Sequence, residues 1–151
     1  GANLYMYNNT FHNTGCASGC DGNNSLKIVC QDGTSATVDV KNNIIQSSAN
    51  SVGYFKDYSN CTYTTSNNIT EDTSSPDSAY RSKVVAFVDE ANDNFHLDVA
   101  DTVAKDAGAD LSGTFTTDID GQTRSGSWDI GADEYQSTGS AIAALIASGE
   151  L

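Results

Sequence analysis

Few residues in this chain have the type and spacing for chemistry. Asp118 and Asp120, in Asp118-Ile119-Asp120-Gly121, carry the alternate-aspartate spacing that opens a calcium loop. Two such carboxylates can offer oxygens to one hard cation, but the further ligands and closing glutamate of an EF-hand loop do not follow. Calcium is therefore the one cofactor the sequence admits, and a plain Asp-Gly turn is the simpler role. The two histidines are isolated: His12 follows a strand-like run, and His96 alternates with apolar residues in Phe95-His96-Leu97-Asp98-Val99. Both are expected to point outward into solvent and to carry no chemistry. Two carboxylates could hydrolyse a glycoside, yet in so aspartate-rich a chain some pair meets any separation. There is no Gly-x-Ser-x-Gly elbow and no phosphate-binding loop, so acyl transfer and nucleotide chemistry have no support. No catalytic residue is assigned.

Four cysteines, Cys16, Cys20, Cys30 and Cys61, fall in the first half without zinc-ligand spacing or a histidine cluster. Disulfides in an oxidising compartment are expected. Three pairings are open; Cys16 with Cys20 and Cys30 with Cys61 is preferred. Sequons at Asn8, Asn23, Asn60 and Asn68 mark candidate glycosylation acceptors, consistent with a secreted or cell-surface protein. The net charge of −13, from 20 acidic against 7 basic residues, repels phosphate backbones and excludes nucleic acid as a partner. No apolar run is long enough to span a membrane. The first residues already read as a strand, so the chain is expected to begin inside a fold with any export signal upstream.

The elements that must position these residues are short strands. Asn, Asp, Ser, Thr and Gly abound, and strong helix formers are scarce. Three segments align on a double asparagine: Tyr7-Asn8-Asn9-Thr10-Phe11, Lys41-Asn42-Asn43-Ile44-Ile45 and Ser66-Asn67-Asn68-Ile69-Thr70, offset by 34 and 25 residues. Omitting a loop of roughly ten residues around the first two cysteines leaves a period of roughly 20 to 25, one coil per repeat. Leu4 and Met6, then Ala36, Val38 and Val40, then Cys61, Tyr63 and Thr65 alternate with neighbours that face the other way. Asparagine suits the corner after each run, because it tolerates the left-handed conformation and its amide can bond the stacked asparagine of the next coil. The expectation is an all-β solenoid, a parallel β-helix. Its coils occupy 1–80, with a Cys-containing loop inserted near 14–25, and its last coils and terminal cap occupy 81–135. A tail over 136–151 has helical spacing at Ile142, Leu145 and Ile146 between Ser140 and Gly149, predicting a short amphipathic helix.

The stretch Asp118-Ile-Asp120-Gly121-Gln-Thr-Arg124 followed by Trp128-Asp129-Ile130-Gly131-Ala132-Asp133-Glu134-Tyr135 resembles the terminal signature of right-handed β-helix proteins of the pectate-lyase-like superfamily, including surface-anchored members. The resemblance is strongest over 95–135. It implies a right-handed parallel β-helix closed by a C-terminal cap. On the residues themselves, Arg124 paired with a carboxylate, most plausibly Asp129 rather than Asp133 or Glu134, would lock the last coil. Trp128 and Ile130 would fill the open end of the core.

Relatives in that superfamily cleave acidic polysaccharides, which requires a base and a positive group to neutralise the uronate. Here the basic stock is seven scattered residues, with Arg81 and Lys83 the one close pair. The expectation is accordingly a non-catalytic extracellular module with a structural, surface-display or self-assembling role. The alternative is the C-terminal fragment of a secreted polysaccharide lyase or glycoside hydrolase whose active site lies upstream. Polysaccharide is a candidate partner through tyrosines such as Tyr5, Tyr7, Tyr54 and Tyr58. Head-to-tail self-association is a second candidate, with the tail of one copy covering the first coil of the next.

Overall fold

The computed structural model describes residues 3–14, 36–46 and 61–137, without the side chains of Ala36, Cys61 and Tyr63. Among these residues the structure is all-β, with helix limited to two single 3₁₀ turns at Ser78–Tyr80 and Glu90–Asn92. Six strands form two parallel sheets. β1 (Asn3–Tyr7), β3 (Ala36–Lys41) and β5 (Cys61–Ser66) make the first; β2 (Thr10–His12), β4 (Ile44–Gln46) and β6 (Ile69–Thr70) make the second. The registers place Met6 beside Val40 and Val40 beside Thr65, then Thr10 beside Ile44 and Ile44 beside Ile69. The offsets of the double asparagines are thus the offsets of the strand pairing.

Each strand of the first sheet passes to the second through its asparagine pair. The first member, Asn8, Asn42 or Asn67, is left-handed, with φ of 51°, 57° and 56°. That conformation is open to asparagine at little strain, whereas a β-branched residue would resist it. The second members form an amide ladder. Asn9 Nδ2 donates to Asn43 Oδ1 at 2.9 Å, and Asn43 Nδ2 donates to Asn68 Oδ1 at 2.8 Å. Backbone amides of Asn9 and Asn43 donate to the same oxygens. The expected stacked corners are present, and they are two columns rather than one.

All three residues of β4 are buried, although successive side chains point to opposite faces. Ile44 packs in a cluster with Ile69, Val85, Leu97, Ala104 and Ile130. Gln46, on the same face, exchanges hydrogen bonds with the backbone of Val85. The second half of the chain therefore covers one face of the second sheet, as a parallel sheet buried on both sides requires.

Two expectations are corrected here. The region expected to hold further coils contributes β7 (Phe87–Asp89) and β8 (Asn94–Leu97), which pair antiparallel with each other and join neither parallel sheet. A left-handed Asp93, φ 58°, turns the chain between them, and Val99 lies beyond β8, 70% exposed. The terminal signature does not sit over the last coil. Gly131 N donates to Asn42 O and Ala132 N to Thr10 Oγ1, so it runs beside the first two corners. The approach is close: a Cβ at Gly131, where φ is +101°, would lie 2.5 Å from Ile44 Cδ1. Only glycine combines that backbone with that contact.

Candidate functional site

The terminal signature is built around Arg124. Its side chain is 1% exposed, and Nη1 contacts Glu134 Oε2 at 3.2 Å. Nη1 also donates to the carbonyls of Asp129 and Asp133, and Nη2 to those of Gly131 and Ala132. The guanidinium thus holds the whole turn from 129 to 134 by its oxygens, a task suited to a planar fork of donors. Trp128 packs on Phe115 with ring centroids 5.1 Å apart and lies 5.4 Å from the guanidinium carbon.

The expected partner was Asp129, and the structure assigns Glu134. The Asp129 carboxylate is occupied elsewhere, accepting from Asp106 N at 2.7 Å and Tyr135 N at 2.6 Å. Burial pushes the Asp129 carboxyl up to about 6, against the lowering effect of those two amide bonds. Burial also lowers Arg124 from its usual value, opposed by Glu134, Asp118, Asp129 and Asp133.

The left-handed asparagines bind this turn and the stretch from Ala107 to Ala109. Asn8 Nδ2 donates to the carbonyls of Asp129 and Gly131. Asn42 exchanges two bonds with the backbone of Ala109, and Asn67 Nδ2 donates to Ala107 O. Asn8 and Asn68 were glycosylation candidates; both are buried, and both amide nitrogens donate to main-chain carbonyls. A glycan on either nitrogen would have to displace those hydrogen bonds. Asn23 and Asn60, the cysteine pairings and the tail helix lie outside the described residues.

Each histidine, expected to be solvated and alone, faces a carboxylate. His12 Nε2 meets Glu90 Oε1, and its ring lies against Phe95 with centroids 4.6 Å apart. His96 Nε2 lies 2.8 Å from Asp120 Oδ2, and its Nδ1 lies 2.6 Å from Asn94 Oδ1. A cavity of about 460 Å³ is lined by His12, Asn13, Glu90, Ala91, Asp93 and Phe95. Another of about 190 Å³ is lined by Thr10, Asp93, Phe95, His96, Ile119, Ala132 and Asp133. The two share Asp93 and Phe95, and neither lining includes a lysine or arginine.

The two aspartates of the calcium expectation, Asp118 and Asp120, are placed differently. Asp118 Oδ1 is committed to the amides of Asp120 and Gln122, an Asx-type turn. Asp120 instead joins His96 and Asp133, one ligating atom from each lying within 4.8 Å of the others. Asp133 is buried, and its Oδ2 accepts from Leu97 N at 2.7 Å. Desolvation raises its carboxyl, while the Leu97 amide and His96 act in the opposite sense.

Among the described residues no helix is long and apolar enough to cross a membrane. Comparison with known proteins finds no family model that matches the chain, and no curated protein and no solved structure that matches it.

Proposed function

We propose that the chain is a right-handed parallel β-helix module serving as a rigid structural or display element of a secreted or cell-surface protein. The observation that carries this reading is the in-register stacking of parallel strands about a continuous asparagine corner. Such corners are self-templating, because each coil presents to the next the amide donors and acceptors that it uses itself. The Arg124-centred turn adds support: a chain that commits a buried cation and a carboxylate to holding one loop is building shape. Of the five basic side chains among the described residues, four are also bonded to the protein. Lys41 bonds Asp39, Arg81 bonds Ser75 O, Lys105 bonds Val99 O and Arg124 bonds the terminal turn.

Incubation with a panel of uronate-containing and neutral polysaccharides tests the functional part. The expected result is no new reducing ends and no unsaturated uronate absorbance at any pH from 5 to 9. Turnover that tracks the purified chain would overturn the proposal in favour of a lyase or hydrolase.

A further inference from the structure

We infer that His96, Asp120 and Asp133 form a binding site for a divalent first-row transition-metal ion, for which zinc is the probe. The site would tie the β7–β8 hairpin to the terminal signature. This inference does not depend on the β-helix reading.

The ligating atoms come from three separate places: His96 from β8, Asp120 from the Asp-Gly turn, and Asp133 from the segment that Arg124 holds. They lie within 4.8 Å of one another. Zinc bonds of about 2.0 to 2.2 Å put two ligand atoms no more than about 4.2 Å apart, so small side-chain rotations would draw this set onto one ion.

The imidazole is prepared for the task. Asn94 Oδ1 stands 2.6 Å from Nδ1 and also accepts the His96 backbone amide at 3.3 Å, so this atom is an acceptor and its neighbour Nδ1 carries the proton. A metal-bound histidine is typically oriented by just such a bond from its other ring nitrogen. Nε2 faces Asp120 Oδ2 at 2.8 Å, a position in which a metal ion could take the place of the shared proton.

Asp133 supplies an independent observation. It is 6% exposed, lines the smaller cavity, and has one oxygen on Leu97 N; among the described residues no donor reaches the other. That second oxygen is open to solvent, in a lining without lysine or arginine, and so is free to take a cation as a ligand. The imidazole decides which cation: one nitrogen and two carboxylates suit zinc or its neighbours better than calcium or magnesium, which take oxygen alone. The exposed sides of His96 and Asp120 leave room for water to complete the shell.

Isothermal titration of the whole chain with zinc at pH 7, alongside His96→Ala and Asp120→Asn, tests the site. Both altered side chains are nearly half exposed, so both variants are expected to fold, which circular dichroism checks. The expected result is one site of micromolar affinity, weakened about 100-fold or more in each variant. At about 100-fold excess over Kd, zinc should raise the wild-type Tm by about 5 °C or more and leave that of His96→Ala unchanged. Zinc binding equally tight in wild type and both variants places the ion elsewhere, at the cysteines for example, and overturns the inference. So does the absence of binding, or calcium binding that His96→Ala leaves intact.

Discussion

Replacing Arg124 by alanine removes a side chain that is 1% exposed and deletes one ion pair and four bonds to main-chain carbonyls. Glu134, 5% exposed, stays buried with only the amides of Ser125 and Asp129 to face it. Breaking a buried pair from one side typically loses about 3 to 5 kcal/mol, because the surviving charge keeps its desolvation and loses its partner. Some of that loss is moderated here, since Nε is itself buried without a hydrogen-bond partner and that defect disappears with the side chain. About 4 kcal/mol is the expected destabilisation. In a chain of this size that corresponds to a fall in Tm of about 10 °C or more. Urea melts monitored by Trp128 fluorescence measure it, because the indole lies 5.4 Å from the guanidinium carbon. Arg124→Lys should recover little, as one ammonium cannot reach five acceptors arranged for a planar fork. Arg124→Met with Glu134→Gln should recover part of the loss by removing the stranded charge. A loss under about 1 kcal/mol for Arg124→Ala, with an unchanged m-value, would show that the terminal turn holds without its cation and would refute the reasoning.

Asn43 is fully buried and joins Met6 O, Lys41 O, Asn9 and Asn68, so Asn43→Ala should lose about 3 kcal/mol in the same urea melts. Asn42→Gly should be less harmful than Asn42→Ala by about 1 kcal/mol, because both lose the Ala109 bonds but only glycine accepts φ of 57° freely. Stability should also respond to the Asp129 carboxyl, which titrates at about 6 when folded and near 3.8 when unfolded. The folded state binds the proton more tightly, so this contribution is full below the unfolded value and is lost as pH rises through about 6. Between pH 7.5 and pH 5 the wild type should gain about 1 kcal/mol from this group, facing Glu134, Asp106 and Arg124, and chemical melts of Asp129→Asn should lack that increment.

Much of the first half was legible because its chemistry is local and repeated. A double asparagine after an alternating run specifies a left-handed corner and an amide that can stack, and both are found at Asn8-Asn9, Asn42-Asn43 and Asn67-Asn68. Pairing direction is not encoded by alternation, so the run from Phe95 to Val99 was legible as alternating while the antiparallel pairing of Asn94–Leu97 with Phe87–Asp89 was not. The terminal signature was readable as a buried arginine–carboxylate lock, but the choice between Asp129 and Glu134 turned on two amides, Asp106 N and Tyr135 N, that only folding brings to Asp129. The histidines were misjudged for the same reason: His12 meets a residue 78 positions away and His96 one 24 positions away. No spacing rule reaches that far.

The asparagine pair acquires a reason from the structure that repetition alone does not supply. A corner needs one residue with positive φ, and one asparagine would suffice for that. The second member turns its amide along the stack, from Asn9 to Asn43 to Asn68, and ties the corners of the paired strands to one another. The first members reach into the second half of the chain, Asn8 to the carbonyls of Asp129 and Gly131, Asn42 to Ala109 and Asn67 to Ala107, while Asn42 Nδ2 also donates to Asn8 Oδ1 along the stack. Gly131 O accepts from both Asn8 Nδ2 and Arg124 Nη2, so the corner column and the arginine grip the same peptide group. That shared carbonyl makes the two devices energetically coupled: loosening the turn by loss of Arg124 also loosens the acceptor on which Asn8 depends. The first asparagine corner and the signature are thus joined through residues 129–131, although about 120 residues of chain separate Asn8 from them.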